Sequence, residues 1–183
     1  MATVLVPLAQ GCEELEAVTV IDLLRRAGVE VVTAGLDDQP VKASRGTTLV
    51  PDTNLDAVVN RDFDMVVLPG GLPGADHLDH DERLRAILQR TADKGKWLAA
   101  ICAAPKVLAH AGYLNGRRAT SYPGVLEELG LPEITSTGTA VERDGNVITS
   151  RGPGTAMDFA LELIDVLKGD QVRRDVEEGL QRT

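Results

Sequence analysis

The sequence predicts an α/β fold: a mostly parallel sheet with helices on both faces. Three observations lead there. Strand and helix signals alternate along the chain. The strand runs are apolar throughout, as strands buried on both faces are. The stretches between them carry helical periodicity, and several stop at glycine. The 183 residues suffice for one domain with a full core, so a single domain over residues 1–183 is expected.

Residues 3–8 form the first apolar run, and Gln10-Gly11 turns the chain. Helical periodicity covers residues 13–27 and Gly28 stops it. Leu15, Val18, Ile21 and Leu24 mark its inward stripe; Leu15 and Val18, with Thr19 and Asp22, also border a second, partly apolar face. Residues 30–34 are the second strand. Residues 37–40 turn, and the short polar-apolar pieces of 41–50 predict an edge excursion. Residues 64–68 are a continuous apolar strand, ended by Pro69-Gly70-Gly71. Asp76-His77, Asp79-His80 and Asp81 read as a solvated loop and acidic helix start, because their spacing matches no usual metal site.

Residues 81–94 are a helix with Leu84, Ile87 and Leu88 inward. A short buried strand over 96–101 leads into a helix with Pro105 in its first turn. Residues 124–129 read as a short helix closed by Gly130 and Pro132. Asp144-Gly145 joins 139–143 to 146–150 as a hairpin. The last long helix covers 155–168, with Thr155 and Asp158 as a capping box and Gly169 as its stop. Residues 175–180 are a weaker helical tail. In a parallel sheet, the loops at 9–14, 69–74, 101–103 and 151–154 gather on one edge, where ligands bind.

A net charge of −9 argues against non-specific binding to nucleic acid or anionic membrane. No stretch is long and apolar enough to span a bilayer, and residues 1–6 lack the basic region of a signal peptide. The two cysteines, Cys12 and Cys102, form no Cys-x-x-Cys pair, so a cytoplasmic location is expected.

Cys102 falls on a sharp strand-to-helix turn flanked by small residues, which pushes its side chain out of the sheet. A helix N-terminus beside it and a hydrogen bond from a protonated Glu16 favour thiolate, and a titration near or below neutral is expected. The competing reading is a buried core cysteine. Glu13 and Glu14 complement a helix dipole. Glu16, one turn in, either faces solvent or faces the crevice as a proton-exchanging carboxyl beside a thiol. Pro69-Gly70-Gly71-Leu72-Pro73-Gly74 is either a tight turn or an oxyanion hole of bare amides. Arg25-Arg26 suits a helix C-terminus; Arg45 and Arg151 sit in polar loops suited to an anion or a subunit bridge.

The blocks Gly11-Cys12-Glu13-Glu14-Leu15-Glu16-Ala17, Val67-Leu68-Pro69-Gly70-Gly71, Ala99-Ala100-Ile101-Cys102-Ala103-Ala104-Pro105 and Thr149-Ser150-Arg151-Gly152-Pro153-Gly154-Thr155 resemble the ThiJ/PfpI superfamily. The resemblance spans nearly the whole chain and is greatest to the branch of bacterial YajL and the human parkinsonism-associated protein. It implies a flavodoxin-like, class I glutamine amidotransferase-like three-layer sandwich and a homodimer. It implies Cys102 as an oxidisable, low-pKa nucleophile and Glu16 as its acid partner. Amides of Gly70, Gly71 and Ala103 would serve the reacting oxygen, and Arg45 and Arg26 would bind anions near the site or dimer seam. Tyr122 stands where many members carry a histidine, which counts against protease activity and places an aromatic at the substrate. The implied function is a cofactor-independent glyoxalase or deglycase of stress protection, acting on small dicarbonyls and glycated adducts. The alternative is a redox sensor or chaperone without turnover. No metal is implied, and Cys12 as a resolving thiol is a lesser alternative.

Overall fold

The computed structural model describes residues 1–182. In chain order come β1 (Thr3–Leu8), α1 (Glu14–Arg26), β2 (Glu30–Gly35), β3 (Val41–Lys42), β4 (Thr48–Leu49), β5 (Thr53–Asn54) and α2 (Leu55–Val58). Then follow β6 (Met65–Leu68), α3 (Gly74–His80), α4 (Glu82–Asp93), β7 (Trp97–Ile101), α5 (Pro105–His110) and β8 (Arg118–Ala119). β9 (Thr135–Ser136), β10 (Val141–Asp144), β11 (Val147–Ser150), α6 (Ala156–Lys168) and α7 (Asp170–Gly179) complete it.

Seven strands form the main sheet in the order β10-β11-β7-β6-β1-β2-β5. All neighbours are parallel except the hairpin of β10 and β11, which turns at Gly145 with φ +59°. β3 and β4 pair with each other as the edge excursion, off the main sheet.

Side-chain alternation along the strands divides the core in two. Val4, Val6 and Leu8 of β1, with Val67, Ala99 and Ile148, pack under α1 and α6. Leu5, Val66, Leu68, Leu98 and Ala100 point the other way, onto Leu84, Ile87 and Leu88 of α4 and Leu108 of α5. The result is the three-layer flavodoxin-like sandwich, with α7 against the α1–α6 layer through Val172 and Val176.

Several expectations are corrected. On α1 the buried positions are Glu16, Ala17, Val20, Leu23 and Leu24, while Leu15 and Val18 are about half exposed (50% and 46%). The inward stripe begins at a carboxyl group, so apolarity alone sets its phase one residue off. Thr155 makes no capping hydrogen bond to α6; its hydroxyl pairs with Ser150 Oγ at 2.7 Å instead. Residues 74–80 are a helix rather than a loop, and 124–129 tighten only to a single 3-10 turn at Glu127–Leu129. The helical tail starts at Asp170, well before 175.

Candidate active site

Because β1, β6, β7 and β11 are parallel, the loops after them meet at one sheet edge. Cys102 sits there between β7 and α5 at φ +64°, a left-handed conformation uncommon outside glycine and strained by roughly 1–3 kcal/mol. Two hydrogen bonds hold the turn. Its amide donates to the Ser150 carbonyl at 2.9 Å, and its carbonyl accepts the Tyr122 amide at 2.8 Å. The cysteine keeps only 8% of its surface.

Glu16 projects from the first turn of α1 and is fully buried. Its Oε2 accepts the Gly70 amide at 2.8 Å, and among the described residues its Oε1 has no hydrogen-bond partner. Gly70 lies between the two acids. A Cβ there would stand 2.5 Å from the Cys102 Cβ and 2.7 Å from Glu16 Oε2, so only glycine lets them approach. Burial pushes Glu16 up to about 7, against the pull of the Cys102 thiol and the Gly70 amide.

The thiol departs from the sequence expectation. Burial first, and the Glu16 carboxylate second, push Cys102 up to about 12; the amides of Gly71 and Ala103 act in the opposite direction. The expected low titration required a neutral Glu16. The two acids titrate as a pair, and after its first proton leaves the pair carries one negative charge over two atoms of contrasting chemistry. With the remaining proton on Glu16, the charge is a thiolate facing two amides.

Cys102 opens into a crevice of about 350 Å³ with Ala103, Gly71, Tyr122, Arg45 and Glu13 among its lining residues. Gly71 and Ala103 present the amides near the thiol. The Gly70 amide is committed to Glu16 and is not free for a reacting oxygen. Arg45 is on the rim and largely exposed, 3.9 Å from Glu13. Tyr122 is a half-exposed wall. Arg26 does not join them: it ends α1 and pairs with Asp22 at 2.7 Å. Cys12 is fully buried and does not line the crevice, and burial pushes its thiol up to about 11; its burial counts against the resolving-thiol alternative.

Glu13 was missed as a site residue. It is nearly buried, accepts Ser44 Oγ at 3.0 Å and forms part of the crevice wall. Its partner lies 31 positions away in sequence, so no local signal marks it.

The carboxylates of Asp76, Asp79 and Asp81 serve structure. Asp76 pairs with Lys106, Asp79 with His110 at 2.6 Å, and Asp81 caps α4 through the amides of Arg83 and Leu84. Among the described residues no cluster of His, Cys, Asp or Glu could hold a metal ion, and no helix is long and apolar enough to cross a membrane.

A model of the DJ-1/PfpI family matches residues 2–166. The chain belongs to the DJ-1/PfpI family. Among DJ-1/PfpI proteins, Drosophila melanogaster protein dj-1beta is 44% identical over 177 residues, covering 96% of this chain and 95% of the relative. The crystal structure of Drosophila DJ-1beta superposes with a TM-score of 0.95 over 100% of this chain and 98% of that one, at 42% identity. A Caenorhabditis elegans DJ-1/PfpI relative, named glutathione-independent glyoxalase DJR-1.2, is 35% identical over 93% of this chain and 90% of its own. The Toxoplasma gondii DJ-1 structure, described as oxidised, has a TM-score of 0.92 and 38% identity over 98% of each chain.

Proposed function

We propose that this DJ-1/PfpI protein is a cysteine-dependent, cofactor-independent glyoxalase and deglycase of carbonyl stress. It would convert methylglyoxal or glyoxal, and their early adducts, to lactate or glycolate. The observation that carries the reading is the pairing of Cys102 with buried Glu16 across Gly70 at the mouth of a crevice. The name of the glyoxalase relative supports it.

In this reading the Cys102 thiolate adds to the aldehyde carbon, making the C–S bond of a hemithioacetal, and the carbonyl oxygen takes the proton held by Glu16, which becomes a carboxylate. In an adduct the thiolate displaces the amine at the aminocarbinol carbon, the amine leaves with the Glu16 proton, and the same species results. Glu16, as carboxylate, removes the hydrogen of that carbon as a proton and returns it to the neighbouring carbon, while the hydroxyl proton on the first carbon passes to the oxygen of the second. The first carbon is thereby oxidised and the second reduced within one molecule, leaving a thioester. Water cleaves the thioester, which releases the hydroxy acid and restores the thiol. The Gly71 and Ala103 amides face the developing oxygen charge.

The test is turnover of methylglyoxal by homogeneous protein without glutathione. One lactate should form per methylglyoxal consumed, with no loss on adding a metal chelator. Absence of lactate from folded protein would refute the proposal.

A second reading, a redox-sensing cysteine, is supported by the oxidised state of the Toxoplasma relative. It requires peroxide to convert Cys102 to a persistent sulfinate while buried Cys12 is spared. Equal oxidation of both thiols counts against it.

The half-exposed Leu15 and Val18 on α1 support a homodimer with this helix in the seam. Sedimentation at micromolar concentration should give twice the chain mass. Val18→Asp should shift it toward monomer by placing an unpaired charge in the seam, and Glu178→Lys on α7 should not. A monomeric wild type removes the proposal. A cytoplasmic location completes the reading, since free thiols persist there.

A further inference from the structure

Beyond the Tyr122 ring the catalytic crevice continues into a second one of about 340 Å³, which shares Tyr122 and Pro153 with the first. Pro123, Arg151 and Thr155 line the rest. The ring lies against the backbone of Gly152, where a Cβ would stand 3.4 Å from its Cδ2. A free dicarbonyl fills only a fraction of the first crevice, so the second has no use in its turnover.

The charge of the second crevice is distinctive. In a chain of net charge −9, nearly every arginine has a carboxylate within 4.0 Å. Among the described residues only Arg85 and Arg151 lack one. Arg85 is on α4, and its Nη2 donates to the Asp79 carbonyl at 3.3 Å. Arg151 stands in the crevice wall, and its Nη1 donates to the Gly138 carbonyl at 3.0 Å, which steadies the guanidinium. Among the described residues its remaining N–H donors are uncommitted, in a fork that matches a carboxylate. The floor beside it is proline and tyrosine, which suits the apolar stem of an amino acid.

We infer that the second crevice is a subsite for the carboxylate-bearing part of a carbonyl adduct, with Arg151 as its ligand. The inference rests on the proposed reaction at Cys102 and names the substrate class: adducts of amino acids, or of peptide C-termini, that carry a free carboxylate. The carbonyl carbon meets Cys102 while the trailing carboxylate passes Tyr122 to Arg151. Arg151 is a specificity residue and takes no part in the chemistry.

The probes are the methylglyoxal hemithioacetals of N-acetylcysteine and of N-acetylcysteine amide, which differ in the carboxylate alone. Wild type should prefer the acid by about two- to fivefold in kcat/KM, the range of an exposed ion pair. The difference should sit in KM and shrink as salt rises. Arg151→Gln should abolish the preference and leave free methylglyoxal turnover unchanged, and Arg85→Gln should keep the preference. Equal use of acid and amide by wild type, or a preference that survives Arg151→Gln, overturns the subsite.

A second measurement keeps it testable if methylglyoxal is not turned over, in which case the reaction falls and the subsite is judged alone. N-acetylserine and N-acetylserine amide compete with iodoacetamide for Cys102, followed by mass spectrometry. Stronger protection by the acid, lost in Arg151→Gln, upholds the subsite. Equal protection overturns it.

Discussion

Cys102→Ser should abolish methylglyoxal turnover, and Glu16→Gln should lower kcat/KM by about two to four orders of magnitude, the range for a positioned acid–base group. The serine hydroxyl keeps the shape of the turn but is not ionised near neutral pH, so the hemithioacetal has no counterpart. The glutamine keeps an oxygen for the Gly70 amide and loses the exchangeable proton. The reactive form is the Cys102–Glu16 pair with one proton removed. Wild-type activity should therefore rise with pH through about 7, where burial places Glu16. That limb should vanish in Glu16→Gln. Its thiol should titrate lower than in a protein with ionised Glu16, because the carboxylate that pushes Cys102 up is gone.

Stability separates a catalytic Glu16 from a structural one. Its folded pKa, about 7, lies above the roughly 4.3 of an unfolded glutamate. Between those values the folded state binds more protons than the unfolded state, so this group makes stability fall as pH rises across the window. Glu16→Gln should flatten that dependence and be no less stable than wild type at pH 8, while inactive. A variant that is inactive and markedly less stable at pH 8 would assign Glu16 to the fold. Unfolding midpoints in urea at pH 5 and pH 8 measure this.

The parallel sheet and its loaded edge were legible because they depend on local patterns. Apolar runs such as 65–68 and 97–101, bounded by turn residues, fit a sheet covered on both faces. The position of Cys102 was legible for the same reason: small residues between a buried strand and Pro105 force a tight turn. The phase of α1 was not, since Glu16 occupies a core position that no hydrophobic pattern assigns to a carboxylate. Its burial depends on the Gly70 amide, 54 positions away. The thiol's electrostatics were only half legible, because a helix terminus and a neutral Glu16 were weighed without the burial and the ionised carboxylate that oppose them. Arg26 and Arg45 have the same residue type, but only contacts distant in sequence show that one is tied to Asp22 and the other stands at the crevice.

The other large effect is expected at Gly71. Its φ of +87° is a conformation that L side chains rarely adopt. A Cβ there would overlap the Glu13 amide nitrogen and stand 2.8 Å from both the Cys12 carbonyl carbon and the Gly11 oxygen. Every one of these is backbone, so no flexible side chain can yield. Nor is that backbone free to move: the Glu13 amide donates to the Gly70 carbonyl at 2.8 Å, and the Cys12 amide to Ala9 at 3.0 Å. Gly71→Ala combines backbone strain with overpacking and should cost about 2–4 kcal/mol. For a domain of this size that lowers the melting temperature by roughly 4–16 °C. The damage should also reach the chemistry, because the Gly71 amide faces Cys102 and the displaced loop carries the Gly70 amide that holds Glu16. Gly179→Ala is the control. It lies in α7 with nothing within 4 Å of a Cβ, and should be neutral or slightly stabilising, as alanine is in a helix. Thermal unfolding with a lactate assay on the same preparations reads both effects. A Gly71→Ala protein that melts and turns over like wild type would mean that the two loops are not locked together, and that the proximity of Glu16 to Cys102 does not depend on them.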